Sequence, residues 1–279
     1  SGNASFFYAP GSSYLATILG FVYFFVIKSK RTLRQQAELL HKFNIFLIRW
    51  FFFSILFVGV ADVLLAFMRV ENLISFVVEE NQAGAFNKPI FVGSYIHTPL
   101  ILFAFVISFF SKTLGFTWLS LMIVLAELMI VITRFVFSYE QPFMADLVRY
   151  WYAGLFLFAS AFTLYDEGHV RVDIAYAGLG QRTQGMLNAL GCWLLGISTG
   201  FTIILIAFNG KYSIINKPLL SFEVSQTGTV GMFIKYQLAV FLGIFGITMI
   251  IQFVSYFFES VSDFKGDGKK RLAGQAVAH

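Results

Sequence analysis

Long apolar runs separated by short polar stretches dominate the chain. Seven of them approach the ~17–25 residues that a helix needs to cross a bilayer. They are Phe6–Ile27, Phe43–Phe67, Ile90–Phe110, Phe116–Phe137, Leu147–Leu164, Met186–Phe208 and Phe233–Phe258. Lipid offers the backbone no hydrogen-bonding partner, so runs of this kind are predicted to be helices. The short alternating segments of a membrane β-barrel are not the pattern here. Pro10 and Gly11 interrupt the first run. The pattern predicts an all-α integral membrane protein of about seven transmembrane helices.

Composition agrees. Hydrophobic residues make up 58% of the 279 and charged residues only 13%, where a soluble domain carries about 25% charged residues. A water-facing surface of this size would be poorly hydrated, and lipid removes the conflict. The 36 Phe residues suit lipid-facing or helix-packing surfaces, and Trp50, Trp118, Tyr150 and Trp151 partly mark span ends. The net charge of +5 does not point to nucleic acid, because the basic residues sit in short loops rather than on one long face. Their placement does predict an orientation. Lys28, Lys30, Arg31, Arg34 and Lys42 crowd the first loop, and Lys265, Lys269, Lys270 and Arg271 the tail, while Glu71, Glu79 and Glu80 fall in the second loop. The positive-inside rule puts the first loop and the C-terminus in the cytoplasm. Lys211 and Lys217, in a loop that would then be external, run against it. Cys192 is the only cysteine, so no internal disulfide forms.

Ionisable residues inside spans are the first candidates for chemistry, since each costs about 2.5–3.5 kcal/mol at the bilayer centre on insertion scales. Glu127 is mid-span, and Asp62 and Arg49 lie in the second run. An ion or proton site is one reading, and a polar contact that holds helices together is the weightier one. Ala61-Asp62 followed by Arg69 resembles Ala126-Glu127 followed by Arg134: acid and arginine two turns apart on one helix face. Of the four histidines, only His97 reads as intramembrane; His41 and His279 read as loop or tail residues, and His169 follows a loop glycine. A bis-histidine haem needs facing pairs, and CxxC or HExxH metal spacing is absent. Gly196 and Gly200 form a GxxxG that permits close helix approach, with the partner helix in this chain or another. Asp166 to Asp173 is densely charged directly after a span, as a solvated loop or a subunit contact.

That last segment carries a resemblance. His169-Val170-Arg171-Val172-Asp173 after a Gly-containing turn, Arg134 upstream, Pro142, Phe143, Asp146, Arg149 and Tyr150 between them, and Ile234-Lys235 with Gln252 around the last run resemble the small membrane subunit, DctQ type, of the tripartite ATP-independent periplasmic (TRAP) transporters. The likeness covers roughly Phe116 to Glu259 and departs from the family pattern at Phe143, where Trp is common, and at Ala145, where an acid is usual. It implies a four-helix core over 116–260, preceded by an extra membrane region over 1–115 with about three spans and followed by a basic cytoplasmic tail over 261–279. It further implies a non-enzymatic scaffold in a bacterial inner membrane, multi-pass, with no cofactor. Its partners would be a large membrane subunit that holds the substrate and sodium sites, a periplasmic binding protein that delivers an organic acid, and membrane lipids. Glu127, Arg134, Asp146, Arg149, His169, Arg171, Asp173 and Lys235 become candidates for subunit contact or structural support, with Arg171 first among them, and no substrate-binding residue is expected in this chain. The rival classes are a haem-bearing membrane anchor of a redox complex and a self-sufficient carrier.

Overall fold

In the computed structural model, residues 31–79, 83–140, 142–165, 176, 178–224 and 230–266 are described. Six helices among them are long and apolar enough to cross a membrane: α1 Leu33–Val70, α2 Pro89–Phe110, α3 Phe116–Phe137, α4 Pro142–Tyr165, α5 Gln181–Ala207 and α6 Lys235–Lys265. They match six of the seven expected runs, and the described residues contain no strand. The run Phe6–Ile27 lies outside the described residues.

The bounds differ from the hydropathy reading at the polar ends. α1 starts at Leu33, ten residues before Phe43, because Thr32 caps it: its side chain accepts from Gln35 N and the Gln35 side chain accepts from Thr32 N. At 1.5 Å per residue, its 38 residues span about 57 Å, far more than the ~30 Å of hydrocarbon. α6, with 31 residues, is about 46 Å long. Both are longer than a bilayer core requires, and their polar ends meet where Arg34 pairs with Asp263 at 2.8 Å. At the opposite end Tyr139 Oη donates to Glu71 at 2.7 Å, bringing the ends of α3 and α1 together. The basic start of α1 and the C-terminal end of α6 therefore face one side.

α1 is the centre of the bundle and packs on α2, α4 and α6. Indole N–H groups lock two of these contacts: Trp50 donates to Ile101 O at 2.9 Å and Trp151 donates to Ile55 O at 3.1 Å. Ser255 on α6 donates to Ala37 O at 2.8 Å. Ile48, Phe52, Ile55 and Val58 of α1 share a core with Leu119 and Ile123 of α3, Tyr150 and Phe158 of α4, and Phe241 of α6. Between α2 and α3, Gly115 has φ +70° and lies against the Phe52 ring, so a side chain there is excluded twice. α5 packs along α6. There Gly196 faces the Phe253 ring, while Gly200 faces Ile250 and Gly246 O. The helix partner of this GxxxG thus lies in the same chain.

Candidate functional site

α2 is not a regular helix. A π-helical turn covers Gly93–His97, just ahead of Pro99. Proline has no N–H to donate, and widened turns are a common way for a helix to absorb that loss. His97, at the end of this turn, is fully buried opposite Asp62 of α1, also fully buried. His97 Nε2 stands 3.4 Å from Asp62 Oδ1, and Nδ1 is 2.9 Å from Tyr236 Oη. Gln237 Nε2 donates to Tyr236 Oη at 2.9 Å. Tyr236 can then give its own proton to His97 Nδ1, which leaves the histidine N–H on Nε2, facing the carboxylate. Tyr150 of α4 closes the chain by donating to Gln237 Oε1.

The same region clamps the backbone that leads into α6. Asp62 Oδ2 accepts from Phe233 N at 2.6 Å, and Asp146 Oδ2 of α4 accepts from Met232 N at 3.2 Å. Arg69 Nη2 donates to Gly231 O at 2.9 Å and lies 3.9 Å over the Phe233 ring. Three charged side chains from two helices thus hold three consecutive residues. Two carboxylates just ahead of a helix start also suit its exposed N–H groups and its dipole. Next door, Lys235 Nζ meets Glu223 Oε1 at 2.6 Å.

A second buried polar set lies toward the basic end. Asn44 Nδ2 donates to Thr248 O at 3.1 Å and to Gln252 Oε1 at 3.3 Å, and His41 Nδ1 is 3.2 Å from Gln252 Oε1. His41 is therefore a buried residue within α1, not a loop residue: the helix continues through the polar stretch that hydropathy assigns to the first loop. Asp62, which His97 faces, follows His41 by 21 positions on α1, about 30 Å along the axis. These two histidines cannot ligate one haem, and each ring is already bonded elsewhere.

The other candidates scatter. Arg149 Nη1 is 3.5 Å from Asp146 Oδ1, but its side chain is 70% exposed. Arg134 points outward and meets Glu140 at 3.4 Å, not Glu127. Glu127 is exposed near the middle of α3, with no hydrogen bond or ion pair in the described residues. Arg49 donates to Ser108 O at 3.4 Å and Lys112 O at 3.2 Å, closing the end of α2. His169, Arg171 and Asp173 lie outside the described residues. The sequence reading flagged Asp62 and His97 separately but did not join them to Tyr236 and Gln237; polar side chains just inside the start of an apolar run were the available signal.

Residues 121–263, just over half of the chain, match the family described as tripartite ATP-independent periplasmic transporters, DctQ component. The chain belongs to that family. No curated protein and no solved structure matches it. The match in this DctQ-family chain runs from α3 to the end of α6 and so leaves α1 and α2 outside it. Yet α1 supplies Asp62 and Arg69, two of the three side chains that fix the entry to α6. The family is a component of a transporter and not a family of enzymes.

Proposed function

We propose that this small membrane subunit of a TRAP-type transporter acts as a fixed scaffold for a large membrane subunit, which carries an organic acid inward with sodium after a periplasmic binding protein delivers it. One observation supports the scaffold role most. The buried charged groups Asp62, Asp146 and Arg69 are spent on backbone groups of this chain, which makes the bundle rigid and leaves them unsuited to binding and releasing a cargo. Contact with the large subunit is assigned to exposed and loop residues, with Arg134, Arg149, His169, Arg171 and Asp173 as candidates. The segment 1–115 extends the family core, and 261–279 is a basic tail.

Purification of the tagged chain from its host membrane after mild solubilisation is expected to bring down a larger multi-span protein. Carboxylate uptake into proteoliposomes should need both membrane chains, the binding protein and a sodium gradient. Uptake by this chain alone would show a self-sufficient carrier and sink the scaffold reading.

In the proposed orientation, the joined ends of α1 and α6 face the cytoplasm of a bacterial inner membrane. Single cysteines test this in a Cys192→Ser background. In intact cells an impermeant maleimide should label Glu79→Cys, and Ser29→Cys only after permeabilisation. The reverse pattern would invert the topology.

A further inference from the structure

α3 stands apart from the other spans, since only Leu119 and Ile123 are buried along its 22 residues, and it rests mainly on α4. On one exposed side, Ser120, Glu127 and Arg134 recur every seven residues, with Val124 and Val131 between them. Such spacing keeps one stripe facing a second helix over several turns; the valines offer it apolar packing surface, and Ser120 is small enough to let it come close. Glu127 is eleven residues from the start of α3 and ten from its end, hence at the middle of the bilayer. It has no partner among the described residues. A carboxyl group at that depth cannot be left to hydrocarbon.

We infer that this stripe of α3 is a mid-membrane seam for the large subunit, and that a hydrogen-bond donor on one of that subunit's helices meets Glu127. The inference rests on the scaffold reading above. The large subunit is favoured over the chain's own segment 6–27 because α3 falls in the family-matched part from Leu121 onward. That segment lies outside the match.

The test is photo-crosslinking in the whole co-expressed complex. A photoreactive residue at Val124 or Val131 should give an adduct with the large subunit. The same residue at Leu125 or Ile132, roughly 150° round the helix from Glu127, should give little. Glu127→Gln keeps a hydrogen-bonding group and should preserve the complex. Glu127→Leu should lower recovery of the large subunit about 3- to 10-fold, the range one interhelical hydrogen bond in lipid supports. Leucine inserts more readily than glutamate, so misfolding does not confuse that result. Adducts from Val124 and Val131 only to segment 6–27, to a second copy or to lipid, while the large subunit still copurifies, would overturn the seam and leave the scaffold reading standing. Unchanged recovery with Glu127→Leu would overturn the role of Glu127. Failure of the unmodified chain to bring down any large subunit would overturn both readings.

Discussion

Asp62→Ala should lower the thermal midpoint of the detergent-purified chain by about 10 °C, the scale expected for a loss of about 3–5 kcal/mol. The carboxylate accepts from Phe233 N at 2.6 Å and faces His97 Nε2 at 3.4 Å, both far from water. Alanine leaves a buried N–H without an acceptor and a buried imidazole N–H facing a void. It also removes one of the two α1 side chains that hold the backbone entering α6, leaving the buried Arg69 as the other. Unmet groups cost more than the bond itself contributes, because nothing replaces the lost water. Asp62→Asn keeps an oxygen for Phe233 N and should lose clearly less. A midpoint unchanged in Asp62→Ala would mean that the entry to α6 is held by Asp146 and Arg69 without help from Asp62.

Gly185→Ala should separate the start of α5 from α6. An added Cβ would lie 2.7 Å from Phe264 N and 2.8 Å from Ser260 O, and backbone atoms in a helix cannot swing aside. The expected cost is about 1–3 kcal/mol, the ordinary penalty for overpacking. Gly200→Ala is the comparison, since its nearest neighbour is the Ile250 side chain, which can change rotamer. Hydrogen exchange in the last three turns of α6 should rise in Gly185→Ala and stay near the parent level in Gly200→Ala. Equal exchange in the two variants would refute the backbone argument.

Where the sequence was a good guide, the physics was local. An apolar run of the right length has one stable form in lipid, so the membrane helices could be read directly. Hydropathy is blind to helix outside the hydrocarbon, so it starts this run only at Phe43 and reads His41 as a loop residue, whereas α1 begins at Leu33. Thr32 with Gln35 was the missed cue. Faces were harder. Asp62 with Arg69 and Glu127 with Arg134 share a spacing, yet the structure buries the first pair and exposes the second. Spacing along one helix reports which residues share a face and says nothing of what covers it. Asp146 shows the same limit: the sequence marks it for subunit contact or structural support without choosing between them, and the structure buries it against Met232 N. Its partner is 86 positions away, beyond any local pattern.

The bond between Asp62 and Phe233 also sets a clock. The two residues are 171 positions apart in sequence. A ribosome adding ~5–20 residues per second needs roughly 10–30 s to cover that distance. For that interval the central helix of the bundle has been made while the backbone that answers its carboxylate has not. Tyr236 and Gln237 arrive later still. The clamp on the entry to α6 is therefore a late event in the birth of the chain, closed when α6 is threaded in beside α1, and a truncation before Gly231 would leave Asp62 and Arg69 without the backbone groups they hold.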